Sequence, residues 1–171
     1  MRDHFNDTAR LLMVGDGVLK EDLLLQAKQL GIANRVVFVG KRPHHEIPLW
    51  MNAADLFCLT SIREGRPNVI LEALACGTPV VASNVGSIPE MIQTENGKIA
   101  EAADSKSLAR QILYCLEREW DRNAIRNSIA GFTWEDSAEL YMQAYLRAMG
   151  GEKVLDDRGM EGSAGHPNFL Q

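Results

Sequence analysis

The residues best suited to chemistry lie in one short stretch, S-I-R-E-G-R-P-N-V-I-L-E, at positions 61–72. Two carboxylates, Glu64 and Glu72, bracket a glycine, an arginine and a proline. Carboxylates accept hydrogen bonds from hydroxyl groups, and the N–H groups at a helix start bind anions. Two interpretations follow: a clamp for a ligand with hydroxyls and phosphates, or a surface turn whose acids suit the helix dipole.

As a clamp, this stretch would suit a ligand with phosphates between two sugars, and the surface turn stays open as the other interpretation. Pro67 suits the first helical turn because its missing N–H would have no partner there, and Gly65 permits close approach of a ligand. Glu64 would repel a phosphate placed directly on it, so the carboxylates suit hydroxyls on either side of the phosphates. That is the outline of a nucleotide sugar. The backbone N–H groups expected to converge on the anion are those of Gly65, Arg66, Asn68 and Val69.

Apolar runs alternate with helical patterns along the chain, which predicts an α/β fold with a Rossmann-like parallel sheet flanked by helices. The stretch 61–72 then follows a strand, at the edge where parallel sheets bind ligands. Strands are expected at 10–14, 35–39, 56–60 and 79–83, and helices at 19–30, 47–54, 67–76 and 88–92. Residues 95–97 are expected to form a polar loop, followed only by helices, at 105–117, 119–130 and 134–149.

Composition excludes several classes of function. With 171 residues, 46% hydrophobic and a net charge of -5, the chain has no basic field that would gather nucleic acid. No apolar run approaches the ~18 residues that span a bilayer, and the first residues contain no signal-peptide core. Three widely spaced cysteines are typical of reduced structural thiols in a cytoplasmic protein. We expect one domain over 1–149 and a disordered tail over 150–171.

The block E-G-R-P-N-V-I-L-E-A-L-A-C-G-T-P-V-V-A-S-N-V-G-S-I-P-E-M-I, at 64–92, resembles the nucleotide-binding half of retaining glycosyltransferases of family 4. These enzymes have the GT-B fold, and their two glutamates separated by seven residues are matched by Glu64 and Glu72. Supporting matches are V-G-D-G (14–17), R-V-V-F-V-G (35–40), N-A-A-D-L-F-C-L-T-S (52–61) and F-T-W-E (132–135). The resemblance covers about residues 9 to 149.

The resemblance implies a role for each residue of the site. Glu72 would accept hydrogen bonds from the ribose, and Glu64 would hold hydroxyls of the donor hexose near the reacting carbon. The N–H groups from Gly65 to Val69 would bind the distal phosphate. Gly40 and Lys41 would lie beside the nucleobase, and Gly15 and Gly17 would line the same cleft. Arg66-Pro67 departs from the family's aromatic residue and second glycine, so Arg66 is either an extra phosphate ligand or a solvated loop arginine.

The implied reaction transfers a hexose from a nucleoside diphosphate sugar to an acceptor hydroxyl, with retention of configuration. The acceptor would be a glycan or a lipid-linked sugar, in polysaccharide or glycolipid assembly at the inner face of the membrane. The resemblance implies that no metal or other cofactor is needed. The one histidine pair, His44-His45, is a poor metal site because neighbouring side chains in a loop rarely ligate one ion.

The resemblance also implies missing parts. A GT-B enzyme has an N-terminal acceptor domain, and its second domain opens with a strand and helix that this chain lacks. That strand would be central in the sheet, and its neighbours would lose backbone partners. We therefore expect a truncated or split enzyme that is weakly active or inactive alone and acts with an acceptor-domain partner or as a homodimer.

Two functions other than this enzyme differ in how well they fit the sequence. A non-catalytic nucleotide-sugar-binding module acting through a partner remains open, since both functions need Glu72. A dinucleotide-dependent oxidoreductase is excluded because Gly15-Asp16-Gly17 lacks the third glycine of G-x-G-x-x-G. On the last helix, four large side chains would face solvent or a partner: Trp134, Tyr141, Tyr145 and Met149.

Overall fold

The structure is a computed structural model that describes residues 9–131 and 134–149. Its strands are β1 (Leu11–Val14), β2 (Val36–Gly40), β3 (Phe57–Leu59), β4 (Val80–Ser83) and β5 (Gly97–Ala100). Its α-helices are α1 (Lys20–Gln29), α2 (Ile47–Ala53), α3 (Asn68–Ala75), α4 (Ile88–Met91), α5 (Ser105–Glu117), α6 (Arg122–Asn127) and α7 (Trp134–Ala148). Short 3-10 turns cover Ala33–Arg35 and His44–Glu46.

The strands pair in parallel and are connected through helices, so the expected α/β class is confirmed. They form two sheets, however, where the sequence predicts one: β1 pairs with β2, and β3, β4 and β5 follow in that order. In register, Leu11 lies opposite Val36, and Val80 lies between Phe57 and Gly97. Among the described strands, β1 and β3 each pair on one side only. No described strand joins the free edge of β1 to that of β3.

Strand β5 corrects the expectation that only helices follow the loop at 95–97. Gly97 opens this strand opposite Val80, and a Cβ at Gly97 would lie 2.1 Å from the Val80 carbonyl oxygen. The sequence of β5, G-K-I-A, contains one β-branched residue and a glycine, so strand propensity alone does not reveal it. The close approach of two backbones selects the glycine.

The core is concentrated around β4, all four residues of which are buried. One face of β4 packs with Ile70 and Leu74 of α3 and with Ile125 of α6. On its other face, Val81 packs with Ala100 and Cys115. A strand buried on both faces typically has a continuous apolar sequence, and the first three residues of β4, V-V-A, fit that description.

The part of the fold around β1 and β2 is much less buried. Among the described residues 9–40, Ala27 of α1 is the one buried hydrophobic residue. Leu11, Leu12 and Val14 of β1 are 52%, 42% and 40% exposed. On the helix face predicted at 19–30, Leu19 and Leu30 are also exposed. The apolar sequence of β1 therefore lacks the cover that such a strand normally has.

Helix α3 begins one residue later than the sequence predicts. Pro67 precedes it with an extended backbone, φ -76° and ψ 111°, and no side chain caps the helix. The Pro67 carbonyl accepts the Ile70 N–H at 3.2 Å, and the proline itself is buried. Pro67 therefore fixes the direction in which the loop enters α3 rather than occupying its first turn.

The chain divides after Ile129 into two units. Helix α7 belongs to the second, where Tyr141, Tyr145 and Met149 are 79%, 59% and 68% exposed, as expected for these side chains. The side chain of Trp134 and the tail expected at 150–171 lie outside the described residues. The domain boundary expected at residue 149 stays a prediction.

Candidate functional site

The loops that follow β1 and β2 meet at two glycines that were predicted site residues. The Gly15 N–H donates to the Gly40 carbonyl at 3.0 Å. Both glycines have positive φ, 130° and 78°, a conformation that other residues rarely adopt. Gly17 lies beside them, with its N–H bonded to the Asp16 carboxylate at 3.0 Å and its carbonyl accepting the Lys20 N–H as α1 begins. The exposed Lys41 follows directly after Gly40.

Glu72 reaches from α3 toward the segment that follows β2. Its Oε1 lies 3.5 Å from Nε2 of His44, and the two side chains are 36% and 85% exposed respectively. The structure thus brings Glu72 to the segment that also carries Gly40 and Lys41. At the sequence level His44 was considered only as a metal ligand, and its contact with Glu72 was missed because it depends on the fold.

Glu64 is held by a neighbour in its own loop. The Ser61 hydroxyl donates to Oε1 of Glu64 at 2.7 Å, in a partly buried position. A charge-assisted hydrogen bond of this length restricts the rotamers of the carboxylate. Ser61 is not evident as a site residue from the sequence, because a serine three positions before a glutamate does not by itself indicate that their side chains are bonded.

The backbone beside Glu64 is held by a second loop, between β4 and α4. The Gly65 carbonyl accepts the Ser87 N–H at 3.0 Å and the Ser87 hydroxyl at 2.9 Å. Within residues 65–68, Gly65, Arg66 and Asn68 are exposed, whereas Pro67 is buried. Val69 is half-buried and packs against the main core cluster.

The start of α3 is suited to an anion. The first N–H groups of an α-helix have no intrahelical partner, and no side chain caps this helix. The helix dipole adds roughly half a positive charge at that end. Together with Glu64 before it and Glu72 one turn within it, the helix start offers donors for phosphate flanked by acceptors for hydroxyls.

The three cysteines are not candidates for nucleophilic chemistry. All are free thiols. Burial, with a smaller effect from Cys115, raises the pKa of Cys58 to about 12. Burial also raises the pKa of Cys115 to about 11. These thiols therefore stay protonated near neutral pH, and the thiolate is the reactive form.

Among residues 9–131 and 134–149, no group of three or more His, Cys, Asp or Glu side chains is placed to hold a metal ion. A separate open depression of ≈ 230 Å³ lies at the carboxyl ends of β3, β4 and β5. Thr60, Ser83, Glu101 and Asp104 line part of it, and neither predicted glutamate does.

Residues 2–131 match the family described as glycosyl transferases group 1. The N-acetyl-alpha-D-glucosaminyl L-malate synthase of Bacillus anthracis is 40% identical over 112 residues, covering 65% of this chain and 29% of that protein. The D-inositol 3-phosphate glycosyltransferase of Mycobacterium bovis (strain BCG / Pasteur 1173P2) is 35% identical over 147 residues, covering 80% of this chain and 30% of that protein. The chain thus spans about 30% of the length of these curated relatives.

Solved structures with the same fold include HepE of Anabaena in complex with UDP, with a TM-score of 0.70 and 30% identity. The match covers 85% of this chain and 42% of that one. The lipopolysaccharide outer core galactosyltransferase WaaB has a TM-score of 0.73 at 23% identity, over 81% of this chain and 41% of WaaB, which supports the fold alone. Within the described residues no helix has the length and apolarity to span a membrane. The chain belongs to the glycosyl transferases group 1 family, and its structural neighbours are GT-B glycosyltransferases.

Proposed function

We propose that this chain is the donor-binding, C-terminal domain of a family 4 retaining glycosyltransferase. It binds a nucleoside diphosphate sugar, and its reaction transfers the hexose, with retention, to a hydroxyl of a glycan or lipid-linked sugar. The observation that carries the proposal is the placement of Glu64 and Glu72 on either side of the uncapped start of α3, with Glu72 reaching the segment after β2. Crystal structures of the Anabaena relative with UDP and with UDP-glucose support this class of donor.

The nucleoside end of the donor lies between α3 and the loops after β1 and β2. Glu72 accepts hydrogen bonds from the ribose hydroxyls, since a carboxylate offers acceptors only. Gly40 and Lys41 face the base and ribose. Gly15 and Gly17 add no side chain to the neighbouring turn, and no atom lies within 4 Å of a Cβ built at Gly15, Gly17 or Gly40.

The diphosphate is bound by the backbone from Gly65 to Val69. As the bond between hexose and phosphate breaks, negative charge grows on the departing diphosphate, and preorganised N–H donors stabilise it. The dipole of α3 acts in the same direction. Arg66 adds positive charge beside these donors. The backbone N–H groups and the arginine stabilise the negative charge of the diphosphate, which other transferases stabilise with a metal ion.

Glu64 orients the hexose. Its carboxylate accepts hydrogen bonds from sugar hydroxyls and holds the reacting carbon above the helix start. Ser61 occupies one oxygen of this carboxylate at 2.7 Å, so the group presents a fixed direction to the sugar. Correct orientation of reacting groups accounts for a large part of the rate in such transfers.

We further propose that these residues alone transfer sugar slowly. Strands β1 and β3 each have one unpaired edge among the described strands, and β1 exposes apolar side chains. The proposed active enzyme therefore includes an additional strand between β1 and β3 and an acceptor-binding domain, within one polypeptide or in a partner. The same open edges favour the second candidate function, a non-catalytic nucleotide-sugar-binding module that acts through a partner. In either case we place the protein in the cytoplasm, in polysaccharide or glycolipid assembly at the inner membrane face.

Titration calorimetry with UDP, GDP and ADP, and with the glucose conjugate of each, tests the proposed binding. One nucleotide should bind in preference to the other two, without added metal and with no loss in the presence of a chelator. Absence of binding to all six ligands would refute the proposal. Binding that requires a divalent cation would refute its metal-free part.

Release of glucose from the preferred donor then separates the enzyme from the binding module. This hydrolysis is transfer to water, so it needs no acceptor domain. An enzyme should show slow hydrolysis that Glu64→Gln abolishes, whereas a module should bind the donor and leave it intact. Hydrolysis at the rate of a complete two-domain enzyme would contradict the incompleteness proposed above.

A further inference from the structure

The loop between β4 and α4 contacts the loop that carries Glu64, but it is held in place by other parts of the fold. Asn84 N–H donates to the Ala100 carbonyl of β5 at 2.8 Å, and Val85 N–H donates to the Ser83 carbonyl at 2.9 Å. Ile88, the first residue of α4, is fully buried in the main core cluster. Ser87 therefore sits on a support that is fixed by the sheet and by the core.

Ser87 uses its hydroxyl in an unusual way for its position. It directly precedes α4, where a serine side chain ordinarily accepts a hydrogen bond from the N–H groups of its own helix. Ser87 makes no such capping bond. Its hydroxyl donates instead to the Gly65 carbonyl at 2.9 Å, alongside its own N–H at 3.0 Å. Both donors of one residue therefore converge on a single carbonyl of the neighbouring loop.

Gly86 allows this approach. Its φ of +56° is left-handed, and a Cβ there would lie 2.1 Å from the Glu64 carbonyl oxygen and 2.8 Å from that of Gly65. The two loops are thus in backbone-to-backbone contact at the carbonyls of Glu64 and Gly65, which belong to two successive peptide groups. Gly86 restricts movement of the Glu64–Gly65 peptide, and the two bonds to Ser87 restrict the Gly65–Arg66 peptide that follows it.

Glu64 is consequently held at both ends. Ser61 binds its carboxylate at 2.7 Å, and the β4–α4 loop holds its main chain. Because the Gly65 carbonyl lies in the Gly65–Arg66 peptide plane, a change in the Ser87 bonds rotates that plane, which joins the Glu64–Gly65 plane at the Gly65 Cα. Small displacements of an orienting group carry large penalties in catalysis.

We propose that Ser87 is a positioning residue that directs Glu64 toward the hexose of the donor. It acts through the Gly65 carbonyl and does not touch the ligand. This inference rests on the proposed function, because it assigns Ser87 to the sugar end of the same site. The nucleoside end, formed by Glu72 and the loops after β1 and β2, is independent of it.

The test combines two variants of Ser87 with a matched control. Ser87→Ala removes the hydroxyl donor and keeps the N–H donor, whereas Ser87→Thr keeps both. Ser128→Ala removes a bond of the same kind, since the Ser128 hydroxyl donates to the Ile125 carbonyl at 2.7 Å near the end of α6, and it also removes the acceptor of the Asn96 amide at 3.0 Å. Each protein is titrated with UDP and with UDP-glucose, and with the GDP and ADP pairs if one of those is preferred.

Ser87→Ala should weaken binding of the nucleotide sugar by about threefold to tenfold, the range expected for one lost hydrogen bond. Its affinity for the nucleotide without sugar should remain unchanged, and Ser87→Thr should restore sugar binding. In a Glu64→Gln background, Ser87→Ala should cause no further loss, because the residue through which it acts has been altered already. Ser128→Ala should affect neither ligand.

Three outcomes would overturn the inference: unchanged affinity of Ser87→Ala for the nucleotide sugar, equal loss for both ligands, or a loss that adds fully to that of Glu64→Gln. In each of these the wild-type chain still binds nucleotide, so the proposed function stands. A wild-type chain that binds no nucleotide removes the proposed function and this inference with it. A ligand-free measurement completes the test: amide hydrogen exchange over residues 62–66 should be faster in Ser87→Ala and unchanged in Ser128→Ala.

Discussion

Replacement of Glu72 by glutamine is the most direct test of the nucleoside end of the site. Glutamine keeps the length of the side chain and one acceptor oxygen but removes the charge. Hydrogen bonds to a charged group contribute about 1.5–3 kcal/mol. The Glu72 side chain is 36% exposed, so water screens it and the lower half of that range applies.

A loss of about 1.5–2 kcal/mol corresponds to roughly tenfold to thirtyfold weaker binding, since about 1.4 kcal/mol is tenfold. The ribose is common to the nucleotide and the nucleotide sugar. Glu72→Gln should therefore weaken the binding of both ligands by the same factor, as measured by titration calorimetry. The contact with His44 cannot account for such a loss, because an exposed ion pair contributes at most about 1 kcal/mol.

Two controls separate the ribose contact from general effects of charge. Glu117→Gln makes the same substitution at the exposed end of α5 and should leave both affinities unchanged. His44→Gln should weaken binding by less than about threefold, in line with an exposed pair. The assignment of Glu72 to the ribose would be refuted by a change below about twofold in Glu72→Gln, or by a loss confined to the nucleotide sugar.

Three further predictions concern strain, buried polar groups and pH. Gly86→Ala should lower the free energy of unfolding by about 1–2 kcal/mol because of its left-handed backbone alone. It should also weaken nucleotide-sugar binding, because the added Cβ displaces the Glu64 backbone. Gly131→Ala should have neither effect, since no atom lies within 4 Å of the added Cβ. Asn96 is 1% exposed and bonds Gln93 N–H at 2.7 Å, so Asn96→Leu should lower the urea midpoint by the equivalent of about 1–3 kcal/mol, while exposed Asn127→Leu should not. Burial raises the pKa of Cys58 from 9.0 to about 12, so its contribution to stability is present below pH 9.0 and is lost as pH rises toward 12. Urea titrations at pH 8 and pH 10.5 should therefore show a smaller loss of stability for Cys58→Ala than for the wild type; equal losses would contradict the assignment.

The sequence predicts well the elements whose pattern is local. Helix α3 and strand β4 follow from a proline, an apolar run and a closing glycine, and both lie within about a residue of their expected positions. Strand β5 was missed because Gly97 is selected by the Val80 backbone opposite it, a contact between residues far apart in sequence. Residue propensity alone predicts a turn at that glycine.

The candidate site shows the same limit. The two glutamates and the glycines of the loops are visible as residue types at fixed spacing. The contacts of Glu72 with His44 and of Gly65 with Ser87 join residues more than twenty positions apart, so no local pattern indicates them. The division of the strands into two sheets is likewise invisible, because unpaired edges are a property of tertiary arrangement and not of the strand sequences.

The uneven distribution of buried residues has a consequence for affinity. The segment containing β1, α1 and β2 has one buried hydrophobic residue among its described positions, whereas β4 is fully buried. Local unfolding of the first segment should therefore require less free energy than opening of the β4 core. Because Gly15 and Gly40 lie in the weaker segment, the proposed nucleoside end of the site would be formed only in the fraction of molecules in which that segment is folded. The apparent dissociation constant equals the intrinsic one divided by that folded fraction. Substitutions that stabilise β1 and β2 should therefore tighten nucleotide binding without contacting the ligand.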